Sequence, residues 1–245
     1  MIHAALRKAD YISYRDCASK ELIESDQPGF EGEVFPDLAF GLNFTPISKT
    51  TRRNKPLIGI NPMPVYDYRY WNVRDDGQYH AYVAKLARLA ERLISENYPV
   101  VFFPTMWRDD YVIIDILKEM DPKIRSKVED SKLVNHCDEV SELTNLLQDI
   151  DIVVATRFHG TLLPLLVNTP VLGISYYRKN ADLMNEFGQD DYHETLEECD
   201  VDRLYSKLMT LASNLQQTKA DIFQKTKEYQ DLTAKQWDRI IQLIT

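Results

Sequence analysis

From Pro56 onward the chain alternates between short apolar runs and longer stretches in which apolar residues recur at helical spacing. Leu57 to Ile60, Pro99 to Phe103, Ile152 to Ala155 and Val171 to Ile174 read as buried strands, and Lys132 to Asn135 as a further short one. Between them lie amphipathic segments. In Gly77 to Asn97, Tyr82, Leu86, Leu89, Leu93 and Ile94 fall on one helical face. Asp109 to Glu119, with Asp109 as its cap, Val140 to Leu147 and Thr161 to Val167 read as further helices. Uniformly apolar strands separated by helices predict a parallel sheet covered on both faces. The expected fold class is α/β, a doubly wound, Rossmann-like sheet whose site lies beyond the carboxyl ends of its strands.

The flanks read differently. Tyr11 to Tyr14 and Glu33 to Phe35 are strand-like and Ala18 to Glu24 is helical, too few elements to close a core of their own. Ser48 to Asn54 is polar and reads as a linker, so the expected division is residues 1–50, a partial N-terminal segment, and 51–245, the α/β unit with its helical tail. That tail comprises helices at Val201 to Leu215 and Lys219 to Ile244. The second carries Ile222, Phe223, Tyr229, Leu232, Trp237, Ile240, Ile241 and Ile244 on a broad apolar face, which either packs on its own domain or forms a contact in a homo-oligomer.

Composition narrows the chemistry. A net charge of −9 over 245 residues argues against nucleic acid as a partner, because a phosphate backbone calls for clustered Lys and Arg. A small anion remains compatible, since a few cations focused in one cleft suffice. The three scattered cysteines, Cys17, Cys137 and Cys199, suggest free thiols in a reducing compartment. No apolar run reaches the roughly 18 residues that span a bilayer, and Met1 to Tyr14 lacks the apolar core of a signal peptide. The expectation is a soluble, cytoplasmic protein.

Three loops leave strand ends on the same expected edge of the sheet. The second, Thr156-Arg157-Phe158-His159-Gly160-Thr161, carries the strongest signal. It joins a buried strand to a helix, so the backbone N–H groups of the helix start, Gly160 and Thr161 among them, open toward the edge and favour an anion. Arg157 adds a permanent forked donor suited to carboxylate or phosphate. His159 adds a group that titrates near neutrality. The competing structural reading pairs Arg157 with an acid and makes His159 a helix cap. The third loop, Ser175 to Asn180, offers Lys179 near a helix start, facing an anion or solvent. Its Tyr176 and Tyr177 either flank a ligand or cover the sheet edge. The first loop, Asn61 to Trp71, offers Arg69 as a second anion-binding or a surface arginine. Its cluster of Tyr66, Tyr68, Tyr70 and Trp71 either stacks on sugar rings or packs the loop down.

Other signals are weaker. His136 and Cys137 lack partners at zinc-ligand spacing, so no metal is expected. His80 lies on the first long helix. His193 sits in an acidic stretch that reads as a loop, where it is structural or exposed. There is no Walker loop and no G-x-G-x-x-G, and only 8 glycines are available for a backbone nucleotide cradle.

Asp149 to His159, the apolar helix after it, Asn168-Thr169-Pro170-Val171-Leu172-Gly173-Ile174-Ser175-Tyr176 and Lys179 together resemble the C-terminal core of the polysaccharide pyruvyl transferases. That family's hallmark is Arg-x-His, a short helix, a Pro-containing strand, a tyrosine and a lysine. Ala9 to Asp16 and Pro36 to Phe40 resemble its middle segment. The resemblance implies a GT-B-like C-terminal domain and transfer of a pyruvyl group from phosphoenolpyruvate to hydroxyls of a saccharide acceptor as a ketal, in surface polysaccharide biosynthesis. Phosphoenolpyruvate would be the donor substrate, with no further cofactor.

By the same resemblance Arg157 and His159 correspond to the donor-binding pair and Lys179 to the motif lysine. Phosphoenolpyruvate, with its adjacent carboxylate and phosphate, suits a site built from cations and helix N–H groups. The expected roles are acid/base for His159 and charge neutralisation for Arg157, with Lys179, Arg69, Tyr176, Gly160 and Thr161 binding substrate. Two departures stand out: Phe158 replaces the commoner aliphatic residue, and a full N-terminal domain with a glycine-rich first turn is reduced here to its last strands and helices. The competing functional classes are a GT-B glycosyltransferase using a nucleotide sugar, and a truncated, inactive domain that binds an anion or a partner.

Overall fold

The computed structural model describes residues 2–26, 29–47, 53–130, 137 and 139–245. Two compact units emerge, Met1–Asn43 with Gln224–Thr245, and Phe44–Phe223. The boundary therefore falls just before the expected linker, and the end of the chain groups with its beginning. Of the linker Ser48 to Asn54, residues 48–52 lie outside the described residues, as does the expected strand Lys132 to Asn135.

The smaller unit contains α1 (Ile2–Leu6), β1 (Ser13–Tyr14), α2 (Cys17–Asp26) and β2 (Glu33–Val34), with β1 and β2 paired in parallel. The C-terminal part of the last helix completes it through specific contacts. Tyr229 meets Phe40 edge-on at 5.0 Å. Gln236 Nε2 donates to Ser13 Oγ at 2.8 Å, and Arg239 pairs with Glu33. Thr233 lies close enough to Gly41 that a Cβ there would sit 3.1 Å from its methyl. The helix thus turns Tyr229, Thr233 and Gln236 inward, a face set by fit at Gly41 as much as by hydrophobicity, while Leu232, Trp237, Ile241 and Ile244 stay exposed.

The larger unit is the expected α/β fold. Its elements are β3 (Ile58–Asn61), α3 (Asp76–Ser95), β4 (Val100–Phe102), α4 (Asp109–Glu119), α5 (Pro122–Asp130), α6 (Val140–Asp149), β5 (Ile152–Ala155), α7 (Phe158–Leu166), β6 (Val171–Ser175), α8 (Arg178–Glu186), β7 (His193–Thr195) and α9 (Val201–Ser213). The long α10 (Leu215–Ile244) follows. Among the described residues the sheet has five strands in the order β4-β3-β5-β6-β7, all parallel. Alternate strand residues, among them Ile58, Ile60, Val100, Phe102, Ile152, Val154, Leu172 and Ile174, join Leu86, Leu89 and Leu93 of α3, Ile113 and Ile116 of α4, and Leu204 and Leu208 of α9 in one core. Helices α6, α7 and α8 cover the opposite face, with Leu147, Leu162, Leu165 and Met184 buried. No helix among the described residues is long and apolar enough to cross a membrane.

The strand order positions the site. From β3 the chain moves to β4 on one side, then returns across β3 to β5 on the other. The loops leaving β3 and β5 therefore diverge, and the crevice they open at the carboxyl edge is where such sheets bind ligands.

One expectation is corrected here. His193 does not sit in a loop: it opens β7, opposite Gly173 of β6. The run His-Glu-Thr has no apolar signal, yet Glu194 is buried because Arg203 and Lys207 of α9 neutralise it at 2.8 and 3.1 Å. His193 Nε2 lies 2.6 Å from Ser175 Oγ. Burial, and then the charge of Lys207, lower the His193 pKa from its ordinary 6.5. As pH falls, the unfolded chain takes up this proton before the folded one does. The stabilisation is fully present above the unfolded value and is lost as pH drops through and below it toward the folded pKa. Urea unfolding between pH 7.5 and 5 should show that decline, and His193→Gln should flatten it; an unchanged slope in the variant would refute the assignment.

Candidate functional site

The three loops meet. Tyr82, buried on α3, accepts from the Met63 amide at 3.1 Å through its hydroxyl, which also bonds Thr156 Oγ1 at 2.8 Å. Burial raises its pKa, against the pull of these hydrogen bonds, so it stays a neutral phenol. Asn180 Nδ2, at the start of α8, donates to the Thr156 carbonyl at 2.7 Å. Trp71 of the first loop meets Tyr176 of the third edge-on at 5.3 Å. Thr156 is thus tied to both neighbouring loops, which holds the next residue, Arg157, in register.

Arg157 is the residue just before α7 and is only 17% exposed. It is held by Asp109, 48 residues earlier. Its Nε lies 3.1 and 3.0 Å from the two carboxylate oxygens, and Nη2 bonds Oδ1 as well. Asp109 has no exposed surface. Its Oδ2 also accepts from the Thr105 amide (2.9 Å), the Thr105 hydroxyl (3.2 Å) and the Met106 amide (3.1 Å). Asp109 is therefore the first residue of α4 and not its expected cap, a position held by Arg108; its carboxylate turns back onto the preceding loop and onto Arg157. The Nε edge of the guanidinium is committed to this pair.

His159 occupies the first turn of α7, where the leading amides have no intrahelical acceptor. It is exposed, stands edge-on to Phe158 at 5.4 Å, and has no hydrogen bond or ion pair among the described residues. It does not cap the helix. Gly160 is buried against Asn61 at the end of β3: a Cβ here would overlap Asn61 Oδ1 and lie 2.8 Å from its Cγ. Asn61 Nδ2 donates to the Phe103 carbonyl at 2.8 Å, which fixes the amide in place. Glycine is thus required for α7 to approach the sheet. Thr161 is fully buried, and both its hydroxyl (3.2 Å) and its amide (2.9 Å) donate back to the Arg157 carbonyl, so, against expectation, its N–H is spent inside the helix and is not open to the edge.

Of the remaining expected residues only Tyr176 lies near Arg157. Tyr176 is half-buried. Burial raises its pKa, and the nearby Arg157 charge lowers it in part. Lys179 is exposed on the first turn of α8, with no hydrogen bond or ion pair among the described residues, while Asn180 beside it points inward. Arg69 is neither an open anion clamp nor a surface side chain. It bonds Asp67 through Nε (2.9 and 3.0 Å) and Nη2 (2.7 Å), and Nη2 also reaches Asp115 at 2.6 Å and the Tyr79 hydroxyl at 2.8 Å. The Asp67 bonds raise its pKa, burial opposing and Asp115 assisting. Although burial pulls the other way, Tyr79 and Arg69 hold Asp115 below the ordinary carboxylate range. Asp109, Tyr82, Asn180 and Asp115 are the supporting residues that the sequence did not single out. Only Asp109 carried a signal, as an acid at the expected start of a helix on the same sheet edge. His136 lies outside the described residues, and no group of three His, Cys, Asp or Glu side chains gathers among the described ones.

The architecture is that of a Rossmann-like, GT-B-type domain. The sequence profile of the polysaccharide pyruvyl transferases matches residues 1–177, and the chain belongs to that family. Among curated proteins there is no significant sequence match. Among solved structures, a point mutant of Staphylococcus aureus TarM, in complex with fondaparinux, α-GlcNAc-glycerol and UDP, superposes with a TM-score of 0.53 at 12% identity, covering 96% of this chain and 44% of that one. A Thermobaculum terrenum O-GlcNAc transferase mutant gives 0.47 at 12% identity, covering 81% and 36%. Escherichia coli ADP-heptose lipopolysaccharide heptosyltransferase II gives 0.46 at 14% identity, covering 67% and 49%. The chain thus spans less than half the length of these structures, and the TarM likeness is one of fold.

Removing one partner of a buried ion pair strands the other charge, a loss of about 3–5 kcal/mol. Arg157→Ala should therefore destabilise the larger unit by about that amount in urea unfolding. Arg157→Met combined with Asp109→Leu should recover most of the loss; a double variant as unstable as the sum of the singles would contradict a buried pair. Gly160→Ala should lower the thermal midpoint by several degrees, roughly 1–3 kcal/mol of overpacking, and Asn61→Ala in the same chain should restore part of it.

Proposed function

We propose that this chain transfers a pyruvyl group from phosphoenolpyruvate to a pair of saccharide hydroxyls, forming a ketal and releasing phosphate. The observation that carries the reading is the pairing of a fixed Arg157 with an open His159 on the first turn of α7, beside the crevice between β3 and β5. Membership of the pyruvyl transferase family supports it.

In this reading the leading amides of α7, which have no intrahelical acceptor, and the outer edge of Arg157 receive the carboxylate and phosphate of the donor. His159, as imidazolium, gives its proton to the methylene carbon. C2 becomes electron-poor, and one sugar hydroxyl adds to it, its proton returning to the imidazole. A second hydroxyl then bonds to C2 as the C2–O bond to phosphate breaks; phosphate leaves with the electron pair and takes up the proton of that hydroxyl. Arg157 balances negative charge throughout. Lys179 is free to swing toward the donor, and Tyr176 walls the crevice. A cytoplasmic setting suits both the donor and three cysteines that form no disulfide.

The test is phosphate release from phosphoenolpyruvate in the presence of oligosaccharide acceptors, with UDP-sugars as rival donors. His159→Ala should lower kcat by about 100-fold or more, the span expected for a lost acid/base group. Turnover at the parent rate in that variant would sink the role of His159. Transfer from a UDP-sugar without phosphoenolpyruvate would replace the reading with nucleotide-sugar glycosyl transfer.

A further inference from the structure

The first loop divides its aromatic residues. Tyr66 and Trp71 turn toward Tyr176 and pack on the core, with ring centroids 6.4 and 5.3 Å apart along the series. Tyr66 adopts a left-handed backbone, φ 59°, where the chain reverses direction. Tyr70 turns the other way, and Tyr68 is joined to it through the Arg69 guanidinium. Tyr70 meets Trp107 at 5.7 Å and Tyr111 at 5.6 Å, and Trp107 meets Tyr111 at 6.2 Å. These partners come from the loop after β4 and the first turns of α4. The cluster stays open: Tyr68 is 60% exposed, Trp107 58% and Tyr111 40%, with Met106 beside them at 39%.

This cluster is built, and not merely left over on the surface. The Arg69 guanidinium lies under it, 5.7, 5.9 and 5.5 Å from the ring centres of Tyr68, Tyr70 and Tyr111, and 5.7 Å from the buried Tyr79. Arg69 is itself pinned by Asp67, which has no exposed surface, and by Asp115 and the Tyr79 hydroxyl. Arg108 stacks at the rim, 5.1 Å from both Tyr70 and Trp107. A guanidinium locked by two carboxylates thus fixes the tilt of rings that would otherwise rotate freely, so little ordering is left for a ligand to impose.

We propose that Tyr68, Tyr70, Trp107 and Tyr111 form a saccharide-binding platform. A pyranose has an apolar C–H face and a rim of hydroxyls. The platform offers the complement: open ring surface in the centre, with phenol hydroxyls, an indole N–H and the Arg108 guanidinium at the edges. A purely apolar ligand would leave those donors unpaired, and a protein partner would need far more surface than four rings provide. The platform is also continuous with Arg157. The turn carrying Trp107 contains Asp109, whose carboxylate grips that arginine. A sugar resting on the rings would therefore lie along the wall that leads to the β3–β5 crevice. This placement rests on the reading that the chain acts on a saccharide, and it assigns the acceptor a surface of its own. It gives Arg69 a positioning role beneath the rings in place of direct contact with an anion.

The test uses the whole chain with cellobiose, lactose and N,N′-diacetylchitobiose, followed by saturation-transfer NMR and tryptophan fluorescence. At least one disaccharide should bind saturably. Trp107→Ala should weaken that affinity by about tenfold, the worth of one stacked ring. Trp107→Phe should retain most of it, Tyr68→Ala should weaken it several-fold, and Trp237→Ala, in the smaller unit, should leave it unchanged. No saturable binding, binding indifferent to Trp107→Ala, or displacement of the sugar by UDP alone would overturn the platform. Phosphoenolpyruvate consumption measured in parallel separates the two claims. Sugar binding through Trp107 without consumption of phosphoenolpyruvate sinks the pyruvyl reading and leaves the platform standing. Turnover whose acceptor KM ignores Trp107→Ala sinks the platform alone.

Discussion

A carboxylate with no exposed surface must be paired and hydrogen-bonded, or it would take up a proton. Asp109 meets that demand with two backbone amides, one hydroxyl and the Nε edge of Arg157. Most of the site follows from this one constraint. It draws the turn after β4 onto the turn after β5, across the intervening β3. It sets the side-chain direction of Arg157, leaving its outer edge for whatever enters the crevice. It also anchors the start of α4, and with it the ring of Trp107 two residues earlier.

Helix α4 holds a second acid, Asp115, which performs the parallel service for Arg69. Arg69 and Arg157 are therefore both gripped from the same helix, by acids six residues apart, and their environments diverge. Asp109 is wholly buried and its partner reaches the crevice. Asp115 is partly open and its partner supports a set of exposed rings. One helix thus organises a buried arginine and an aromatic cluster on the same sheet edge, an arrangement that the proposed reaction between an anionic donor and a hydroxyl-rich acceptor would use.

The alternation of apolar strands with amphipathic helices is visible in the sequence because strand and helix periodicities are local. Ile152 to Ala155 is wholly apolar, and β5 is buried at every position. The basic tripeptide after β5 is equally visible, since an arginine and a histidine directly after a buried strand have to emerge at the sheet edge. His193 was not legible in the same way. Its strand lacks an apolar residue, and Glu194 is tolerated only because α9 brings Arg203 and Lys207 to it from farther along the chain. Nor does an aromatic loop reveal which rings pack and which stay open, because Tyr66 and Tyr70 are chemically alike and separated only by the direction of the backbone at each.

By itself the sequence determined the fold class, the edge of the sheet at which the basic loops emerge, and the residues Arg157 and His159 that stand there. Tertiary structure alone decided what those residues are free to do. It committed one edge of Arg157 to Asp109, left His159 open, closed Thr161 into the helix, turned Lys179 to solvent and converted Arg69 from a candidate anion ligand into a support for aromatic rings. The reason is that backbone periodicity depends on neighbours within a few residues, whereas an ion pair depends on which distant carboxylate the fold delivers. Asp109 and Asp115, 48 and 46 residues from their arginines, cannot be matched to them until the sheet has closed.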